Sequence, residues 1–252
     1  MMQNYSKKIT YSNYNGKSWN MISGFAKCSY SYLYYYVFDW TGDCVKYDKD
    51  WNLLTAVKLK SGTFTGKCIN DKLYVTSFNF FYTTNTDLAI TNQSSKFSVE
   101  FRNIYYDGTN LLFYITTNAP SIYVFDINLN KISIIGFSDT WIGGIAFFND
   151  KLYVGGGGCR VWFYNLVNGT YIPSSFKLQN CAGYFELVNS LLFDSTGDLI
   201  VALSGSKTLS LYDSNGNYKQ KTLNLTDSPY TVDVDAEGRL VVGCEHGLQL
   251  FY

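Results

Sequence analysis

A short pattern of polar and apolar positions recurs along the whole chain. Each copy has a polar turn, then leucine, then two or three residues that favour strands. Two copies, residues 70–75 and 149–154, both read Asn-Asp-Lys-Leu-Tyr-Val. With the leucines as anchors, successive copies are 40, 39, 40, 47 and 41 residues apart; the anchors are Leu33, Leu73, Leu112, Leu152, Leu199 and Leu240. The chain is therefore built from a repeat of about forty residues.

A second segment follows most anchors and alternates apolar with polar residues. It ends in an aromatic residue and often in aspartate, as in residues 122–126 and 209–213. Period-two alternation indicates a half-buried strand. Asn, Asp and Gly come next, and these residues suit the tight turns of hairpins. Each repeat thus predicts four short antiparallel strands.

Six such repeats without any long helical pattern predict an all-β fold, a single-domain six-bladed β-propeller of four-stranded antiparallel blades. The sixth repeat ends at Tyr252 without a fourth strand. We expect the N-terminal strand, residues 5–11, to supply it and close the ring, because an open blade edge would expose unpaired amides. The predicted blades span 21–60, 61–101, 102–137, 138–178, 179–225 and 226–252.

The fifth and sixth repeats carry a more specific pattern. Residues 191–202 and 228–242 both contain a strand followed by Asp, two intervening residues, Gly, one further residue and an apolar strand. Over roughly 190–252 this resembles NHL-type repeats, a six-bladed propeller family. The family's usual Arg in the third strand is missing, since Thr208 and Gly247 precede the corresponding apolar residues. The resemblance implies the fold and no fixed active site.

Composition restricts the function classes. The chain has 252 residues, with 20 Lys plus Arg balancing 20 Asp plus Glu. A neutral chain lacks the basic field that nucleic-acid binding needs, so we expect no nucleic-acid partner. No apolar run approaches the ~20 residues of a membrane span, so membrane insertion is not expected. The N-terminus shows no secretory signal, which favours the cytoplasm or a larger intracellular or viral assembly.

The six cysteines, Cys28, Cys44, Cys68, Cys159, Cys181 and Cys244, are widely spaced and form no Cys-x-x-Cys pair. Without a signal peptide we expect six reduced thiols in packed strands. Cys28 and Cys68 hold the same repeat position and are expected to lie fairly close. The run 155–158 of four glycines lacks the helix and Lys-Ser/Thr pair of a phosphate loop, and it predicts a tight turn near the next blade.

Catalytic chemistry has few candidates in this sequence. His246 is the sole histidine and follows Cys244 and Glu245, but no neighbour in sequence orients its ring, so we expect a surface histidine and not a catalytic dyad. One histidine and scattered cysteines do not indicate a metal site, and no cofactor is predicted. Asp194, Asp233 and Asp235 leave open a metal-dependent, lactonase-like hydrolase, although acids at turns usually bond the backbone.

The aromatic residues are more informative. Several lie in predicted loops between second and third strands or between blades, which emerge together at one mouth of a propeller channel. The candidate partner-binding residues on this face are Trp40, Phe80, Tyr82, Trp141, Tyr184 and His246. Exposed aromatics on one face suit a partner protein or a sugar ring. The sequence therefore predicts a non-enzymatic interaction or scaffold module that binds another protein or a larger assembly, with a carbohydrate-binding propeller as the alternative.

Overall fold

A computed structural model describes residues 8–136, 142–167, 170–181, 183 and 186–252. The described residues form strands, turns and loops. Among them there is no helix long and apolar enough to cross a membrane. Six four-stranded antiparallel sheets are arranged as the blades of a ring, and a small hairpin precedes the first blade. The prediction of an all-β, six-bladed propeller is confirmed.

The first three blades run through consecutive strands from the channel outward. Blade 1 contains β4 (Ile22–Cys28), β5 (Tyr34–Asp39), β6 (Asp43–Asp48) and β7 (Leu53–Lys58). Blade 2 contains β8 (Thr63–Ile69), β9 (Lys72–Ser77), β10 (Phe81–Thr84) and β11 (Ile90–Gln93). Blade 3 contains β12 (Phe101–Asp107), β13 (Leu112–Thr117), β14 (Ser121–Asp126) and β15 (Lys131–Gly136).

The next three blades repeat this order, except for the last strand of the ring. Blade 4 contains β16 (Ile142–Phe148), β17 (Lys151–Gly156), β18 (Arg160–Val167) and β19 (Thr170–Lys177). Blade 5 contains β20 (Val188–Phe193), β21 (Leu199–Leu203), β22 (Thr208–Tyr212) and β23 (Tyr218–Asn224). Blade 6 contains β24 (Pro229–Val234), β25 (Leu240–Cys244) and β26 (Gly247–Phe251), and its outer strand is β1 (Lys8–Tyr11).

The N-terminal strand closes the ring, as predicted. Strand β1 pairs antiparallel with β26, with Ile9 opposite Leu250 and Tyr11 opposite Leu248. The hairpin of β2 (Asn13–Tyr14) and β3 (Lys17–Ser18) then leads into blade 1. Its Tyr14 is buried, and the Tyr14 hydroxyl donates to Asp43 of blade 1 at 2.6 Å. One continuous segment therefore joins the last blade to the first.

The anchor leucines lie in the core between blades. Leu73, Leu152, Leu199 and Leu240 are fully buried, each near the start of a second strand. The six inner strands (β4, β8, β12, β16, β20 and β24) contact their neighbours in a closed circle. This contact leaves no room for side chains at some positions: a Cβ on Gly144 would overlap the Cα of Ser190 in the next blade. The leucines are regularly spaced because each blade buries one of them at the equivalent position of its second strand.

A single hydrogen-bonded turn explains the recurring aspartates. At the ends of β6, β14 and β22, an aspartate accepts bonds from two backbone amides and from the side chain of an asparagine four residues later, as for Asp126 and Asn130. Asp48 and Asp213 make the same turn with Asn52 and Asn217. These are Asx turns that fix the hairpin between third and fourth strands.

The expectation of six reduced cysteines is wrong. Cys28 forms a disulfide with Cys68, and Cys159 forms one with Cys181, whereas Cys44 and Cys244 are buried and form no disulfide. Cys28 and Cys68 end the inner strands of adjacent blades, where their Cα atoms lie 5.1 Å apart. Their separation of one repeat brings the sulfurs together because equivalent inner-strand positions are neighbours around the ring.

Candidate functional site

The inner strand of every blade is irregular at its start. In each of the six blades, the pairing between the first and second strands shifts there, so that one more residue lies on the inner strand than on its partner. Such β-bulges re-aim side chains and are common beside binding sites. We call the end of the channel where the inner strands begin the upper end.

The bulged residues line a cavity of about 290 Å³ at the upper end, which we call the upper chamber. They are Ser23, Phe64, Arg102, Asn103, Gly143, Asn189 and Tyr230. Met21, Leu187 and two loop residues, Trp40 and Ser204, complete the wall. Because the six blades contribute different sets of residues at this bulge, the chamber lacks the sixfold similarity of the fold around it.

Trp40 belongs to an aromatic cluster at the rim. It lies just after β5, in the loop between the second and third strands of blade 1, and is half-buried. Its ring centre lies 4.6 Å from that of Phe64 and 5.4 Å from that of Phe78, with both ring planes nearly perpendicular to the indole. These contacts fix the indole at the mouth of the chamber.

Arg102 is the charged side chain of the upper chamber among the described residues. Its guanidinium carbon lies 5.8 Å from the ring centre of Trp40 and 5.4 Å from that of Phe64, within cation–π range. The Arg102 Nη2 atom lies 3.4 Å from Glu100 Oε2, and Nε is buried without a hydrogen-bond partner. Burial lowers the pKa of Arg102, and the Glu100 carboxylate opposes this shift.

Asn103 separates the upper chamber from a second cavity below it. Its side-chain amide donates to the carbonyl of Asn189 at 3.3 Å, across the channel from blade 3 to blade 5. The lower chamber, of about 260 Å³, is lined by the regular parts of the inner strands. Its charged residues are Lys27, Lys67 and Asp233.

His246 lies on the same face as Trp40, in the equivalent loop of blade 6. Its side chain is 74% exposed, and its Nδ1 lies 2.7 Å from Asp227 Oδ2. No neighbour in sequence orients the imidazole, but Asp227 does, a residue that is far away in sequence and comes from the link between blades 5 and 6. Cys244 ends β25, is buried, and its sulfur accepts a hydrogen bond from Gln249.

The Asp227 carboxylate is held in its charged form. Burial would raise its pKa, but hydrogen bonds from the His246 side chain and from the amides of Ser228 and His246 lower the pKa below its ordinary value. Ligand atoms of Asp227, Glu245 and His246 lie within 4.8 Å of one another. In the described part of the chain this is the group whose chemistry could hold a divalent cation, with one imidazole and two carboxylates.

The other sequence candidates have different positions. Phe80 lies in the loop before β10, half-buried, with Lys60 Nζ 4.3 Å from its ring centre. The placement of Tyr82 in a loop is wrong: it lies within β10, is fully buried, and its hydroxyl is 3.1 Å from Thr63 Oγ1. The pattern of residues 78–82, Phe-Asn-Phe-Phe-Tyr, does not indicate where this short strand begins. Trp141 and Tyr184 lie outside the described residues.

The acidic turn residues bond the backbone, as the sequence indicated. Asp194 accepts bonds from the amides of Thr196 and Asp198. Asp235 accepts bonds from the amides of Glu237 and Arg239, and it also pairs with the Arg239 side chain. In the glycine run, Gly155 and Gly156 end β17, where a Cβ on Gly155 would meet Val188 of the next blade, and Gly158 follows in a turn with a positive φ. These residues therefore have structural partners.

Sequence reasoning missed Arg102, Asn103 and Asn189, the polar residues at the centre of the upper chamber. Alternation along β12 and β20 does not reveal them, because a bulge breaks the period of two at that point. One signal was available: Arg102 is one of only three arginines in the chain and follows an apolar residue at the start of an inner strand.

The chain is similar in fold to a solved structure described as "Crystal structure of WD40 beta propeller domain of Doa1". The TM-score is 0.68 at 10% sequence identity, and the alignment covers 92% of this chain and 78% of that chain. At this identity the likeness shows the fold alone. It supports a propeller repeat architecture in general and does not single out NHL-type repeats. No protein-family model and no curated protein matches the chain.

Proposed function

We propose that this propeller is a non-catalytic interaction module that binds a partner protein through the upper face. The observation that carries the proposal is the upper chamber, an asymmetric cavity bounded by Trp40, Phe64 and Arg102 at the channel mouth. Aromatic and arginine side chains in partly desolvated pockets are the usual anchors of protein interfaces. Loops held by a rigid ring present them with little loss of conformational entropy.

The chemistry of the face favours a protein over a carbohydrate. Sugar rings stack on a free aromatic face, whereas Trp40 is contacted by Phe64 and Phe78 and lies beside the Arg102 guanidinium. The enzyme alternative would use Asp194, Asp233 and Asp235. Asp194 and Asp235 hold turns at the other end of the inner strands, and Asp233 is the one acidic residue among the described residues that line the lower chamber. The NHL resemblance of blades 5 and 6 and the absence of a nucleic-acid partner belong to this proposal. Location in the cytoplasm or in an intracellular or viral assembly stays a prediction from the sequence, and the two disulfides count against a reducing compartment.

Trp40→Ala tests the proposal in a pull-down from the native source, followed by measurement of the dissociation constant for the recovered protein. Loss of one aromatic anchor should weaken binding about tenfold or more. The matched control is Tyr32→Ala, which removes a 70% exposed aromatic from the turn between β4 and β5, at the opposite end of the channel. Circular dichroism on both variants checks the fold.

Two outcomes distinguish binding at the upper face from binding at the opposite face. If Trp40→Ala weakens binding and Tyr32→Ala leaves it unchanged, the upper face is the binding surface. If the Tyr32 variant loses the partner and the Trp40 variant keeps it, the proposal is wrong, and the partner binds at the opposite face. His246→Ala should change affinity little, because its exposed ring lies outside the chamber wall.

A further inference from the structure

The guanidinium of Arg102 has few hydrogen-bond partners, although most of the side chain is buried. Its side chain is 25% exposed, and it contacts Glu100 with one nitrogen at 3.4 Å. A guanidinium carries five N–H donors. The Nε atom is buried and unbonded. Buried donors are normally satisfied, and a desolvated one without a partner costs free energy, so this group is suited to an acceptor supplied from outside.

The wall of the upper chamber defines the acceptor. Among its described residues Arg102 is positively charged and none is acidic. The remaining wall combines aromatic rings, Trp40, Phe64 and Tyr230, with the amides of Asn103 and Asn189. A ligand that fits must therefore carry one negative charge on a small group with an apolar stem.

A carboxylate matches this wall better than a phosphate. Carboxylate oxygens accept two parallel N–H bonds from a guanidinium, and the planar pair can lie beside aromatic rings. A phosphate carries up to two charges and usually needs several donors, such as further basic groups or a nest of backbone amides. Lys27 and Lys67 belong to the lower chamber, on the other side of Asn103.

We propose that the upper chamber binds a carboxylate, the side chain of an Asp or Glu of the partner protein, through Arg102. This inference rests on the proposed function for the source of the carboxylate. The acidic side chain enters between Trp40 and Tyr230 and pairs with the guanidinium. The single-cation wall makes the upper face specific for an acidic anchor, and binding weakens as salt rises.

The test uses benzoate as a free carboxylate and benzamide as its neutral match. The chain has three arginines, so the Nε–Hε resonances of the folded protein can be assigned by substitution and followed by NMR. Benzoate should shift the Arg102 resonance saturably, and Arg102→Gln should weaken its binding about tenfold or more. Arg160→Gln is the matched control, since Arg160 also lies beside an indole, Trp162, but on β18 away from the chamber.

Four results decide the inference. The inference is supported if benzoate binds saturably at Arg102, benzamide does not, and benzoate competes with the captured partner. Equal shifts with benzamide, or tighter binding of inorganic phosphate, overturn it. Benzoate binding that leaves partner capture unchanged assigns the chamber to a free carboxylate and overturns the protein source. No benzoate binding, while Trp40→Ala still abolishes capture, overturns the inference and leaves the proposed function intact.

Discussion

The two chambers of the channel differ in how the chain builds them. The lower chamber is lined by regular stretches of the inner strands, and similar positions recur from blade to blade, such as Lys27 and Lys67. The upper chamber is lined mainly by residues that the strand pairing skips, and these differ from blade to blade except that blades 3 and 5 both contribute an asparagine. Regular pairing thus makes the scaffold, and its interruption makes the site.

This contrast determines which features of the fold and of the site could be predicted from the sequence. The leucine anchors and the Asp126–Asn130 type of turn repeat with the period of the fold, so blade number and strand order could be predicted. The closing strand, predicted over 5–11, is seen as β1 at Lys8–Tyr11, and residues 5–7 lie outside the described residues. Trp40 could be placed because it follows a strand directly. Arg102 and Asn103 could not, because their orientation depends on a bulge that the alternation does not encode.

Two further differences have physical causes at long range. Asp227 orients His246 from another loop, and the Cys28–Cys68 disulfide joins adjacent blades. The disulfide depends on the curvature of the ring, which brings equivalent positions of adjacent blades close together, and the Asp227–His246 contact depends on the two kinds of loop that meet at one face. Reasoning from neighbours in sequence misses them.

The largest expected effect comes from breaking the ring that holds both chambers. Deleting residues 1–12 removes β1, its pairing with β26, and the contact of Tyr11 with Trp51, whose ring centres are 6.1 Å apart. Burial of one strand stabilises by several kcal/mol, so the truncated protein should aggregate or melt far lower. Calorimetry and gel filtration measure this. Deletion of residues 1–7, which precede β1, is the control, and equal melting temperatures of the two truncations would contradict closure by β1.

Removal of the Cys28–Cys68 disulfide should weaken only the end of the channel opposite the upper chamber. Replacing Cys28 and Cys68 together by Ser should lower the free energy of unfolding by about 4 kcal/mol, the effect that loop entropy predicts for a bridge between residues 40 positions apart. Urea unfolding measures the change, with Cys44→Ser as a free-thiol control. Alkylation of the unfolded wild-type protein without reductant should label two thiols; labelling of six would contradict the pairing and would favour a reducing compartment.

The upper bulges are tested by filling the space between neighbouring inner strands. Gly144→Ala places a methyl group against the backbone of Ser190 and should cost about 1–3 kcal/mol through overpacking. Gly108→Ala is the matched control, because its new Cβ would meet only Tyr106 at 3.8 Å, an ordinary contact. Thermal melting of both variants decides: similar losses at the two sites would mean that close contact of the inner strands is not what limits substitution.

The smallest effect concerns turns remote from both chambers. Asn130 and backbone amides hold the pKa of Asp126 below its ordinary value despite some desolvation, and similar bonds lower the pKa of Asp48 and Asp213. A lowered folded-state pKa stabilises the fold at pH values above the unfolded-state pKa of about 4. This stabilisation is lost as the pH falls through the folded-state pKa. Urea midpoints should therefore fall below about pH 4. Asp126→Asn should reduce this pH dependence slightly, and an unchanged slope would show that the turn does not contribute.

The central claim, that this protein acts through its upper face, is tested most directly by hydrogen–deuterium exchange of the complex with its captured partner. We predict slower exchange in the loops at residues 40–42, 60–62, 78–80 and 204–207, which surround the upper chamber, and unchanged exchange in the turns at 29–33 and 70–71 of the opposite face. Protection of those opposite turns, with the upper loops exchanging as in the free protein, would contradict the account.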